Sequence, residues 1–121
     1  QFCAECAKHS ALGSANTLRG VQAKRPTIQS LERQLRRLKV PLHMVSGDED
    51  NNCLEPRLFI KRVCPSAWLT VVPNTGHAVN VEEPALFNEL TAEFLAQVDS
   101  GRWRPRDPRS LVKSTMQPAR K

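Results

Sequence analysis

From residue 26 onward the chain switches between two hydrophobic rhythms. Ile28, Leu31, Leu35 and Leu38 recur at spacings of three and four after Pro26, while Glu32, Arg33, Arg36 and Arg37 fill the other side. That is the period of an amphipathic helix whose first turn suits proline, and it predicts a helix from about Pro26 to Leu38. Residues 40–46, VPLHMVS, are mostly apolar without alternation, which predicts a strand covered on both faces, as parallel strands are. Gly47, Asp48, Glu49 and Asp50 stop it. In EPRLFIKRVCP, Pro56 stands near a predicted helix start, Leu58, Ile60 and Val63 supply its apolar side, and Pro65 closes it. AWLTVV, residues 67–72, is a β-rich run closed by Pro73. From Glu82 the acids, then Pro84, then Leu86, Phe87, Leu90, Phe94, Leu95 and Val98 predict a last helix with its apolar residues on one side. Residues 1–25 carry no clean period and read as helical and loop pieces.

Strands alternating with helices predict an α/β fold: a parallel sheet joined by right-handed crossovers, with both strand ends on one edge. Ligands in open sheets of this type bind beyond the carboxyl ends of the strands. Those ends carry GDED, Gly47 to Asp50, and PNTGH, Pro73 to His77. Neighbouring strands lie about 4.8 Å apart, so an acid beyond one and a histidine beyond the other can converge. A carboxylate bonded to histidine Nδ1 fixes the tautomer and stabilises the imidazolium, leaving Nε2 to take a proton from a nucleophile. Gly76 is expected to let the backbone turn sharply enough to aim the His77 ring.

The net charge of +6 changes little once it is divided along the chain. Residues 1–100 hold 11 basic and 11 acidic side chains, and the whole excess lies in residues 101–121, where seven cations face Asp107 alone. With three prolines and little apolar periodicity, that segment reads as a solvated, mostly disordered basic tail, with docking to acidic surfaces as its functional alternative. No nucleic-acid role is assigned. No apolar run approaches the roughly 18 residues of a membrane-spanning helix, and no basic segment followed by an apolar one opens the chain. The four cysteines are unpatterned, which fits a reducing cytoplasm. Cys3, Cys6 and His9, at spacings of three, are expected to share a helix face, with metal binding as the alternative. Cys53 and Cys64 flank a predicted helix.

VPLHMVSGDED followed by PSAWLTVVPNTGHAVNVEEPALFNELTAEFL resembles the C-terminal part of an α/β-hydrolase-fold enzyme, over roughly residues 38–98. The resemblance implies that Asp50, ending a Gly-x-x-Asp turn that starts at Gly47, is the triad acid, with Asp48 as the alternative. It implies that His77, in its Gly-His pair, is the base, followed by Glu83, Pro84, Phe87 and Asn88 of the last helix. Residues 1–25 would then end a lid region, 26–99 form the core segment and 100–121 the basic tail. The implied activity is hydrolysis of an ester or another small carbonyl substrate, with no cofactor.

Such enzymes carry a nucleophile on a GxSxG elbow, upstream of acid and base. Ser10, Ser14, Ser30, Ser46 and Ser66 lack the paired glycines, and the oxyanion-hole amides that accompany the elbow are missing with it. Two predicted parallel strands cannot cover themselves. The chain is therefore expected to need a missing N-terminal hydrolase segment as partner, either as part of a longer polypeptide or borrowed. The competing class is a non-catalytic interaction protein built on a truncated hydrolase scaffold. His43 is expected to be a hydrogen-bonded core residue, Trp68 a packing residue and Trp103 part of the tail.

Overall fold

The computed structural model describes residues 2–111. These residues form two units, divided after Ser30. In the first unit helix α1, Phe2–Cys6, is followed by α2, Ala11–Gly20. Ser10 caps α2 by accepting a hydrogen bond from the Gly13 amide at 3.2 Å. Because α1 ends at Cys6, His9 lies beyond it, and the helix face expected to gather Cys3, Cys6 and His9 does not form.

The second unit runs α3 (Glu32–Arg37), β1 (Leu42–Gly47), α4 (Asn51–Val63), β2 (Ala67–Val72), α5 (Val79–Glu82) and α6 (Pro84–Asp99). The strands pair in parallel from Leu42 opposite Ala67 to Gly47 opposite Val72, so the fold is α/β with an open parallel sheet. It is compatible with a piece of an α/β-hydrolase fold. Among the described residues no helix is long and apolar enough to cross a membrane.

The apolar rhythms settle as half-buried stripes. Leu31, Leu35 and Leu38 are half-buried, but the predicted Pro26 to Leu38 helix is a 3-10 turn, Ile28–Leu31, running into the short α3. Pro26 stays outside it. Helix α4 starts at Asn51, a full turn before the predicted start, so Pro56 lies inside it. The last helix starts at Pro84, and Glu82 instead closes the separate one-turn α5. Along α6 Leu86, Phe87, Leu90, Phe94 and Val98 are half-buried, whereas Leu95 is exposed. The fully buried set is small: Cys64, Ala67, Val72 and Val79, with Ser46, Ser66 and Thr75 among the polar residues.

The expected solvated tail is corrected at its start. Trp103 stacks on Trp68 with ring centroids 3.8 Å apart and meets Phe94 edge-on at 4.9 Å. The Arg106 amide donates to the Pro65 carbonyl at 2.8 Å, and its guanidinium reaches the Arg62 carbonyl at 2.6 Å. A large aromatic surface outweighs the segment's charge and its prolines here, because such a pair contributes about 0.5–1.5 kcal/mol beyond its buried area. Residues 112–121 of the predicted tail lie outside the described residues. Trp68 packs as expected, and His43 is held at Nε2 by the Thr70 hydroxyl at 2.9 Å.

Candidate active site

Two loops leave the carboxyl ends of β1 and β2 side by side. Backbone bonds lash them together: the Asp48 amide donates to the Val72 carbonyl at 3.0 Å and the Glu49 amide to the Thr75 carbonyl at 3.1 Å. The Thr75 amide in turn donates to the Asp48 carboxylate at 3.3 Å. Asp48 therefore serves the loop-to-loop clasp. The sharp turn of the second loop falls at Asn74, whose φ is +54°, a left-handed conformation that asparagine tolerates better than most residues. Gly76 has no such φ. The turning role expected of Gly76 belongs to Asn74, and the missing side chain at Gly76 leaves space for Glu82.

Glu82 grips the histidine loop. Its carboxylate accepts from the Gly76 amide at 2.9 Å and from the Ala78 amide at 3.2 Å, one residue on either side of His77. The imidazole held between them has a side chain 76% exposed.

Asp50 stands immediately before the first residue of α4, where an aspartate ordinarily caps the free amides of the first turn. Its side chain makes no such bond. Instead Oδ2 lies 2.9 Å from His77 Nδ1 and 3.1 Å from the Arg57 guanidinium. The carboxylate is 7% exposed and can only accept, so the His77 proton sits on Nδ1 and Nε2 carries the free lone pair. Burial raises the Asp50 carboxyl pKa; hydrogen bonds from His77, Cys53 and Arg57, with the His77 charge, outweigh it and hold the group below its ordinary value.

Arg57 also reaches down to the Ser46 hydroxyl at 2.6 Å, which fixes the guanidinium between the strand end and the acid. Cys53, one turn into α4, brings its sulfur to 3.7 Å from His77 Nδ1. Burial raises the Cys53 thiol pKa, as do the hydrogen bond and negative charge of Asp50. This keeps the thiol protonated.

The structure thus brings Asp50 and His77 together and places Asp48 in the neighbouring clasp. Arg57, Cys53 and Glu82 are additional members that the motif reading did not reach. Arg57 and Cys53 sit seven and three residues after Asp50 on one helix, a spacing that would have shown them once α4 was started at Asn51 rather than near Pro56. The arrangement orients an imidazole, holds a counter-charge against its far nitrogen and leaves the near one open to a reacting group.

No family model matches the chain, and no solved structure matches it. The chain is 28% identical over 92 residues to a Bacillus subtilis (strain 168) protein named "Putative 2-succinyl-6-hydroxy-2,4-cyclohexadiene-1-carboxylate synthase". The match covers 75% of this chain and 32% of that protein, so the chain spans about a third of the relative's length. This distant likeness suggests the α/β-hydrolase superfamily and, with the parallel α/β architecture, supports a reading at that level.

Proposed function

We propose that this chain supplies the acid and base of a nucleophile-histidine-acid triad in an α/β-hydrolase-type enzyme acting on an ester or another small carbonyl substrate. Asp50 orients His77 through Nδ1 and stabilises the imidazolium. His77 Nε2 takes the proton of an attacking nucleophile and later returns it to the leaving group. The nucleophile and the oxyanion-hole donors belong to an N-terminal hydrolase segment that completes the sheet. The name of the Bacillus subtilis relative, a synthase of a substituted cyclohexadiene carboxylate, fits a small carbonyl-bearing substrate.

One observation carries the reading. Asp50 forgoes the helix cap its position offers and directs Oδ2 to His77 Nδ1 at 2.9 Å, while the imidazole remains open to solvent. A carboxylate serving only the helix would turn to the amides of residues 52 and 53.

The test is made in the polypeptide that carries the nucleophile. There His77→Ala lowers kcat on short p-nitrophenyl esters by at least ~10³-fold, and Asp50→Asn by about 10³- to 10⁴-fold with KM little changed. Turnover within a few-fold of normal in a folded His77→Ala protein would overturn the assignment.

A further inference from the structure

Asp50, Cys53 and His77 each aim a ligand atom into one small space: a carboxylate oxygen, Sγ and Nδ1 all lie within 4.8 Å of one another. Oδ2 lies 2.9 Å and Sγ 3.7 Å from Nδ1. Around a tetrahedral zinc ion, with bonds of roughly 2.0–2.3 Å, neighbouring ligand atoms stand about 3.3–3.7 Å apart. The sulfur–nitrogen pair already stands at that spacing, the oxygen–nitrogen pair reaches it by opening about 0.4 Å, and the oxygen and sulfur, within 4.8 Å of each other, close on it by side-chain rotation.

We infer that Asp50, Cys53 and His77 form a binding site for a single divalent cation of the zinc class, with the fourth position open to water. The inference rests on these atoms and not on the hydrolase reading. An oxygen, an imidazole nitrogen and a thiolate together suit zinc and cobalt rather than magnesium or calcium, which take oxygen ligands. Asp50 and Cys53 are three residues apart across the start of α4 and so lie on one side of its first turn, and the clasped loop brings His77 onto them. Asp50 is nearly buried while the His77 side chain is 76% exposed, so the site has a floor and an open mouth.

Arg57 is the opposing charge, 3.1 Å from Asp50 Oδ2. Its second partner, the Ser46 hydroxyl at 2.6 Å, holds the guanidinium on the strand side while the carboxylate turns towards the ion. Binding moves the imidazole proton from Nδ1 to Nε2 and releases the thiol proton to solvent. Asp50 and the Cys53 thiolate together neutralise the cation, and the ion replaces the Asp50–His77 hydrogen bond.

The experiment is a cobalt(II) titration of the reduced 121-residue chain carrying Cys3→Ser and Cys6→Ser, which removes the competing thiols of the first helix. The expected result is a thiolate-to-cobalt charge-transfer band that saturates at one equivalent and is bleached by zinc. Cys53→Ala abolishes the band, and His77→Gln weakens cobalt binding at least ~10-fold. Absence of the band from the folded protein, or its survival in Cys53→Ala, overturns the site. A second measurement needs no variant at the site: zinc shifts the nuclear magnetic resonance signals of the His77 ring nitrogens and of the Asp50 and Cys53 amides, and unchanged signals at all three overturn it equally. Neither readout involves turnover, so failure of the metal site and failure of the triad reading are separate results.

Discussion

Gly47 and Thr75 share space that only a glycine leaves free: a Cβ on Gly47 would fall inside contact distance of the Thr75 carbonyl oxygen and of the Gly76 carbonyl oxygen behind it. Both obstacles are backbone, so no rotamer change relieves them. Gly47→Ala is expected to push the loops apart and destabilise the fold by at least about 1–3 kcal/mol, the usual range for overpacking. Urea unfolding reads the loss. Loss of the downfield His77 Nδ1 proton signal shows that the loops have parted, and an alanine variant with unchanged midpoint and signal would contradict the close approach.

Acid should weaken the fold in two stages. Burial holds the His43 imidazole below its ordinary value of 6.5, so the unfolded chain takes the proton first. That contribution is complete above the ordinary value and declines as pH falls below it. The Asp50 carboxyl is also held below its ordinary value of 3.8; its contribution is complete above that value and is lost as pH falls through the folded-state pKa. Urea midpoints measured against pH should show both declines. His43→Gln flattens the first alone; Asp50→Asn reduces the second, whose remainder belongs to Asp107, held low by hydrogen bonds from Arg109.

Glu82 is expected to act as a positioning residue for His77. Glu82→Ala removes two acceptors and should cost about 0.5–1.5 kcal/mol per bond, with faster hydrogen exchange at the Gly76 and Ala78 amides. Glu82→Gln, which keeps one acceptor oxygen, should fall between. In the nucleophile-bearing polypeptide the effect appears in kcat more than in KM, as expected of a misplaced base. Exchange at both amides unchanged in Glu82→Ala would show that the clamp is not formed.

Trp103 is expected to hold residues 102–106 against the body. Trp103→Ala should remove the roughly 0.5–1.5 kcal/mol of aromatic pairing plus part of the buried area, and expose the bonds after Arg102 and Arg106 to trypsin. Cleavage there at the unaltered rate would return this stretch to the solvated state that its charge suggested. Trp103→Phe, which keeps an aromatic ring against Trp68, should restore most of the protection.

The strands and the loops beyond them were legible because the signals are short and local. Residues 42–47 and 67–72 are apolar β-rich runs with turn formers directly after them, and parallel topology alone then puts Asp50 and His77 on one edge. Helix starts were less legible. Pro56 resembles a first-turn proline, yet α4 accommodates it inside the helix and starts at Asn51, so Cys53 and Arg57 were dissociated from Asp50. Glu82 read as an opening acid of the last helix because Pro84 follows so closely, whereas its carboxylate turns back to two loop amides. Trp103 was hidden by its company: charge density marks a segment as solvated, and only tertiary stacking on Trp68 shows otherwise.

Among the described residues β1 and β2 pair only with each other, so each has one flank along which no strand is paired, although Lys61 covers the Ala67 carbonyl on the β2 side. Those flanks face sideways, while the loops bearing Asp50 and His77 rise from the tops of the strands. Lateral growth of the layer by a further strand therefore runs at right angles to the chemistry. The sheet can be widened on either flank without displacing the imidazole, which makes this pair of strands a transplantable corner of a larger platform.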